Sequence, residues 1–307
     1  MDTFLQQIVN GLVLGSVYAL VALGYTMVYG ILGLINFAHG EVVMIGAMVA
    51  LSVIQVLGGM ALPVALVVGA GLVVAIVVCV AVGFTMERLA YRPLRSAPKL
   101  APLITAIGMS IVLQSLAVLI WGRDYRSFPA IIPMVRMQVA GVTITSVQIA
   151  IVVLSVLLMV GLWLLVQRTS LGRAMRATSQ NPSIAGLMGV DINVIISTTF
   201  MLGSALAAIA GLMVMAYYSL AHYYMGFLLG LKAFSAAVLG GIGNLAGAML
   251  GGLLLGMIES LGAGYIGDLT GDFLGSNYQD VFAFFVLILV LVFRPSGLLG
   301  EQVTDRA

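Results

Sequence analysis

Four polar residues stand where an otherwise apolar chain could do chemistry: Asn36, His39, Glu41 and Lys232. The first three fall in Gly33-Leu34-Ile35-Asn36-Phe37-Ala38-His39-Gly40-Glu41, a run that reads as a break between two helices. Asn36 or His39 would cap the second helix, and Glu41 would occupy its first turn, where a carboxylate meets the positive helix end. Ionisable groups inside a bilayer cost about 2.5–3.5 kcal/mol each on insertion scales, so those that persist are candidates for a translocation pathway. A capped helix start without a transport role is the plainer reading of the same residues. Lys232 precedes Ala233-Phe234-Ser235-Ala236-Ala237, a small-residue face able to line a cavity. Its stem could equally carry the ammonium to the outer interface. Glu259, toward the outer end of its segment, reads as solvated.

Other chemistry has no foothold. The only lysines, Lys99 and Lys232, lie in Pro-Lys-Leu and Leu-Lys-Ala, so the Gly-Lys-Ser/Thr of a phosphate-cradling loop is missing. His39 and His222 are far apart and no His-Glu-x-x-His occurs, which leaves no metal motif. Gly-x-Ser-x-Gly is absent too. No catalytic residue, metal or cofactor is expected. Cys79 lies alone within an apolar run and reads as a buried small hydrophobe.

The elements that must position these groups follow from composition. Of 307 residues 62% are hydrophobic and only 8% charged, well below the roughly 25% of a soluble domain. Net charge is +2 with scattered basic residues, which excludes a nucleic-acid stripe. Charge-free runs exceed the ~20 residues that span a bilayer. The chain therefore reads as an all-α integral membrane protein, a polytopic bundle and a single domain over 1–307. Crossings are placed near 8–29, 34–57, 61–86, 101–121, 145–166, 193–218, 226–241, 245–264 and 276–293. Nine are favoured, with eight as the fallback if 226–241 is only re-entrant. The n-region of a cleaved signal peptide is lacking, so the first segment should be retained.

Loop charges set the orientation. Arg88, Arg92, Arg95 and Lys99 in one loop, and Arg168, Arg173 and Arg176 in another, belong in the cytoplasm, which puts the N-terminus outside. The loop Arg123 to Arg136 is then external despite its arginines, as is the acidic loop with Asp268, Asp272 and Asp280. The tail with Arg294 and Arg306 is cytoplasmic only if 226–241 crosses. Tyr217, Tyr218, Tyr223 and Tyr224 read as an interfacial aromatic belt. Gly243, Gly247 and Gly251 repeat at every fourth position, as do Gly252 with Gly256 and Gly11 with Gly15, the spacing that lets helix backbones approach closely. Alternatively, Gly240, Gly241 and Gly243 break the helix, as in discontinuous transporter helices.

The second basic loop, 167–192, carries a short helix written in cap chemistry: Asn181 as N-cap, Pro182 at the first position and Gly189 as the stop. Between them lie Ile184, Ala185, Leu187 and Met188, an apolar face flanked by Arg173 and Arg176. Such a face needs either a protein partner or the lipid interface.

The chain resembles the LivH-type inner-membrane permeases of bacterial branched-chain amino-acid ABC importers. The resemblance is carried by Gly24 to Gly30 running into Ile35 to Glu41, by Glu87 to Arg95, Ala106 to Ser110, Gly172 to Thr178 and Leu231 to Gly243. It implies a multi-pass subunit of the bacterial inner membrane, paired with a second homologous permease, two cytoplasmic ATP-binding subunits and a periplasmic or extracellular substrate-binding protein. It also implies that the loop around Arg176 to Gly189 is the coupling helix that docks on an ATPase. Relatives carry urea or short amides as well, so the solute stays open. From another class, a stand-alone ion-coupled transporter would use Glu41 for its ion. A non-transporting membrane scaffold has no support in the residues.

Overall fold

Apolar runs of this length become helices because lipid offers backbone N–H and C=O groups no partner. The computed structural model describes residues 2–60, 62–95, 97–98, 100–129, 135–139, 141–271 and 278–300. The helices among them are α1 (Asp2–Leu32), α2 (His39–Gly58), α3 (Val64–Met86), α4 (Leu100–Trp121), α5 (Ser146–Arg168), α6 (Ser170–Gln180), α7 (Pro182–Leu187), α8 (Ile192–Tyr218), α9 (Met225–Gly240), α10 (Leu245–Thr270) and α11 (Gln279–Phe293). Each of the nine apolar segments holds one helix, and α6 and α7 fill the second basic loop. Seven of the helices are long and apolar enough to cross a membrane, whereas α9 and α11 are shorter. The molecule is a polytopic helical membrane protein. Lys99, Asp272 and Arg306 lie outside the described residues.

The residues gather into two compact units: Met1–Thr26, Met134–Met159 and Lys232–Ala307 in one, Met27–Pro133 and Val160–Leu231 in the other. In the first, α1 and α10 run antiparallel at glycine contacts. A Cβ on Gly15 would lie 2.8 Å from the Leu253 Cα, and one on Gly11 2.8 Å from the Met257 Cα. Gly247 faces Gly240, and Gly251 faces Ala236 and Gly240, in the same backbone-to-backbone manner. Gly243 does not join that row. It sits in the turn between α9 and α10 with φ +95°, beside Gly241 at +108°, so the helix-breaking alternative holds there. Asn244 then caps α10 through the Gly247 N–H at 3.1 Å.

The strands were not legible in the sequence. β2 (Arg136–Val139) and β3 (Val142–Thr145) form an antiparallel hairpin inside what reads as an apolar run. The Gln6 side chain binds both backbone groups of Thr143, accepting at 3.0 Å and donating at 3.2 Å. The start of α1 and this hairpin thus share one end of their unit.

In the second unit α2, α3 and α8 pack mutually. Gly46 lets α2 approach Ala208, and Gly211 lets α8 approach Ala47. The Cys79 thiol is buried and donates to the Val42 carbonyl at 3.4 Å. At one end β1 (Arg126–Ser127) pairs with β4 (Leu220–Ala221). At the other the Arg95 guanidinium donates to the Asn193 side-chain oxygen at 2.7 Å. Loops assigned to the same membrane side by charge therefore meet at the same end.

His222 lies at the strand-paired end, with Tyr125 edge-on at 4.7 Å and its Nδ1 accepting the Tyr224 N–H at 3.1 Å. Burial lowers this imidazole below its ordinary 6.5, because desolvation disfavours the cation. Its folded value being depressed, the stability it contributes is complete above 6.5 and is lost as pH falls toward the folded value. Amide protection of β1 and β4, followed by hydrogen exchange, should drop as pH falls below 6.5, and His222→Phe should flatten that dependence. Replacing Gly15 with Leu should cost about 1–3 kcal/mol through overpacking of α1 on α10, read as a lower melting temperature in detergent. Gly161→Ala, in α5 with open space around it, should instead raise stability by about 0.5–1 kcal/mol.

Candidate functional site

The break before α2 is real. Gly33 takes φ +62°, and residues 34–38 are non-helical before α2 begins at His39. Ala38, not Asn36 or His39, holds the N-cap position, and no side chain caps there. Asn36 acts from two residues upstream: its side-chain oxygen accepts the Ala38 N–H at 3.1 Å and the Tyr91 hydroxyl at 2.7 Å. The Asn36 carbonyl accepts the His39 N–H at 3.0 Å. All three groups are buried: Asn36, His39 and Glu41 are at most 3% exposed.

Glu41 lies in the first turn of α2, where the dipole favours it. One carboxylate oxygen accepts from Gln114 at 2.7 Å and from Ser110 at 3.1 Å, two α4 residues one turn apart. The other has no hydrogen-bond partner among the described residues. It faces Gly226 in the first turn of α9, where a Cβ would fall 2.8 Å away. Glycine there allows the α9 backbone to close over the carboxylate. Its hydrogen-bond donors among the described residues are neutral, which sets Glu41 apart from the other buried carboxylates described below.

Lys232 lies elsewhere, in an ion cluster of the first unit built on buried Glu259. Its ammonium is 2.7 Å from Glu259 Oε1 and 2.7 Å from Asp280 Oδ1, and 5.8 Å from the centre of the Tyr18 ring. Tyr18 donates to the second Glu259 oxygen at 2.9 Å. Glu259 is therefore not solvated as its position suggested; it is 1% exposed and paired. The cluster ties α9 to α1, α10 and α11. A charge so buried persists only when partners are placed this closely, because desolvation otherwise outweighs the attraction.

The second basic loop forms two helices. The Thr169 hydroxyl caps α6, accepting the Gly172 N–H at 3.1 Å, and this helix was not foreseen. The Arg176 guanidinium turns inward onto the Val166 carbonyl at the end of α5, where a cation meets the negative helix end. Arg173 is exposed. The shorter helix follows its cap chemistry closely: the Asn181 side chain accepts the Ile184 N–H at 3.1 Å, Pro182 opens α7, and Gly189 turns the chain at φ +87°. Ala185 is buried, whereas Ile184, Leu187 and Met188 are 58%, 87% and 81% exposed. The chain leaves at once into α8, which Asp191 caps through the Asn193 and Val194 N–H groups.

Charge counting treated the first basic loop only as a marker of sidedness, yet it holds a structured ion pair. Past α3 the chain forms a π-helical turn, Glu87–Tyr91, then a 3-10 turn to Leu94. Glu87 is fully buried; it takes the Arg95 guanidinium on one oxygen and the Ser197 hydroxyl, at 2.6 Å, on the other. Burial pulls the Arg95 guanidinium below its ordinary value, and the Glu87 carboxylate opposes that shift. The signal in the sequence was a carboxylate in the last turn of an apolar run with an arginine eight residues on. Among the described residues no three His, Cys, Asp or Glu side chains converge on a common point.

Comparisons with known proteins show the family. The family model described as "Branched-chain amino acid transport system / permease component" matches residues 7–291. The high-affinity branched-chain amino acid transport system permease protein BraD of Pseudomonas aeruginosa is 48% identical over 99% of this chain and 98% of its own. The corresponding permease protein LivH of Escherichia coli is 43% identical over 99% of this chain and 97% of its own. Among solved structures, PsaBC from Streptococcus pneumoniae in complex with Fab is similar with a TM-score of 0.44 at 15% identity, over 96% of this chain and 91% of that one. Matched along nearly its whole length by the family model and by these relatives, the chain belongs to the family of branched-chain amino acid transport system permease components.

Proposed function

We propose that this chain is one transmembrane permease subunit of an ATP-driven importer of branched-chain or other apolar amino acids in the cytoplasmic membrane. Its partners are a second homologous permease, two ATP-binding subunits on the inner side and a soluble substrate-binding protein on the outer side. Solute moves by alternating access, with the two membrane faces opened in turn as the bundle rearranges. No bond is made or broken in this subunit. Its sequence holds no phosphate loop, so the energy must be supplied by companions.

The observation that carries this reading is α7. A soluble-facing turn with Ile184, Leu187 and Met188 turned outward, and only Ala185 turned in, is anchored by an Asn181 cap and a Gly189 stop. Rigid ends and an unpaired apolar face suit docking into a groove on an ATPase, with Arg173 at its flank. Arg176, spent on the end of α5, holds the loop rather than the partner.

Glu41, with Asn36 and His39 behind it, is the proposed pathway element. It is held by neutral donors and lies beneath a glycine of α9, so a small displacement of α9 exposes a polar group. Lys232, in the first unit, serves instead to tie helices together. An ion-coupled carrier acting alone would need no companions, and uptake by the purified chain in a pH or sodium gradient decides between the two; none is expected.

Ile184→Asp with Leu187→Asp should abolish leucine uptake in the assembled importer and release the ATPases on purification. Uptake and assembly at wild-type levels would remove α7 from the coupling role. Glu41→Gln should preserve assembly and basal ATP hydrolysis while reducing leucine uptake. Lys232→Ala should lower stability by about 3–5 kcal/mol, because buried Glu259 then loses its ammonium, and Lys232→Ala combined with Glu259→Gln should recover part of the melting temperature.

A further inference from the structure

The docking surface and the break before α2 are far apart in sequence, yet one continuous set of contacts joins them within the second unit, exposed at Asp191 and Asn193 and buried from Ser197 inward. It starts at α7, whose Ala185 carbonyl accepts the Val190 N–H at 3.1 Å, one residue before the Asp191 cap of α8. The first three turns of α8 then present Asn193, Ser197 and Phe200 to one short segment. Asn193 accepts from Arg95 at 2.7 Å, Ser197 donates to Glu87 at 2.6 Å, and the Phe200 ring lies 5.2 Å from that of Tyr91. Glu87 and Arg95 are themselves ion-paired. From the same segment the Tyr91 hydroxyl donates to the Asn36 side chain at 2.7 Å, and that side chain holds the Ala38 N–H at the mouth of α2.

Glu87, Tyr91 and Asn36 are at most 3% exposed, so water does not compete for these bonds. The segment that gathers them is π-helical, a wound-out turn frequent at functional sites. In that winding Glu87 faces α8 while Tyr91 reaches Asn36. An ordinary α-helical continuation of α3 would rotate the two side chains relative to each other.

We propose that the Glu87–Tyr91 turn is the transmission element of this subunit. Glu87, Arg95 and Tyr91 are positioning residues that deliver the displacement of α7 and the start of α8 to the Asn36 break, and so to Glu41. The proposal rests on the coupling role of α7 given above. Spatial continuity alone does not establish coupling, so the test must read energy transfer rather than structure.

The assembled importer, with its ATPases and binding protein in proteoliposomes, is assayed with radiolabelled leucine as probe, and leucine moved per ATP hydrolysed is measured. Tyr91→Phe keeps the ring against Phe200 and removes only the hydroxyl; Ser197→Ala removes only the donor to Glu87. Each should cut the ratio about fivefold, the size of one buried hydrogen bond, with ATPases still bound and the basal ATPase rate retained. The double variant should be no worse than the more severe single one, as for two links in series. A purely structural role would lower the melting temperature and leave the ratio unchanged. If Tyr91→Phe does not assemble, Ser197→Ala carries the test. An unchanged ratio in the variants that assemble, or additive losses in the double variant, overturns the proposal. Failure of the coupling reading itself is distinguishable, since Ile184→Asp with Leu187→Asp would then leave uptake intact.

Discussion

Lipid supplies no hydrogen bonds, and that single constraint organises this chain. Every polar group carried into the apolar interior has to be met from within the protein. Backbone groups are met by winding into helices, which is why each apolar segment holds one. The side chains that remain are met in clusters, and each cluster draws its members from distant parts of the sequence. Glu259 is met by Lys232 and Tyr18, and Glu87 by Arg95 and Ser197. The cost of leaving any member unmet turns these clusters into fasteners between helices.

Glycine solves the complementary problem. Between helices in lipid there is little hydrophobic drive, and close approach has to supply the attraction through dispersion and weak C–H contacts. Gly11 and Gly15 against α10, and Gly46 and Gly211 between α2 and α8, sit where any side chain would strike backbone. Gly226 does the same work for a polar purpose, allowing the α9 backbone to lie against the Glu41 carboxylate. Tight packing and the enclosure of a polar group thus depend on the same missing methyl.

Much of the architecture was written locally and could be read. Hydropathy located the nine apolar helices among the described residues, because an apolar run long enough to cross lipid satisfies its backbone by winding into a helix. The six residues of α7 were announced by Asn181, Pro182 and Gly189, since caps act over three or four positions. What could not be read was pairing over long distance. Glu259 read as solvated, because its partners lie 27 and 241 residues away. Gly243 shares a fourfold spacing with Gly247 and Gly251, but its backbone turns left-handed, and spacing carries no dihedral angle. The hairpin at Arg136–Thr145 hid inside a charge-free stretch, as β-branched residues such as Val139, Val142 and Ile144 count as apolar in either geometry. Arg176 read as a loop charge flanking the apolar face of the coupling loop, whereas its guanidinium also closes the end of α5.

The first helix has a further consequence. With 31 residues, α1 is about 46 Å long at 1.5 Å per residue, against a hydrocarbon layer of about 30 Å. Its second and third turns bear Gln6, Gln7 and Asn10, whose side chains hydrogen-bond to Thr143, Ser260 and Gln148. An upright rod of that size fills the full membrane thickness of about 40–45 Å. In a thinner bilayer it has to lean, and the hydrophobic mismatch then falls on the element that carries Tyr18 at its middle. Acyl-chain length would thereby act on this chain through geometry.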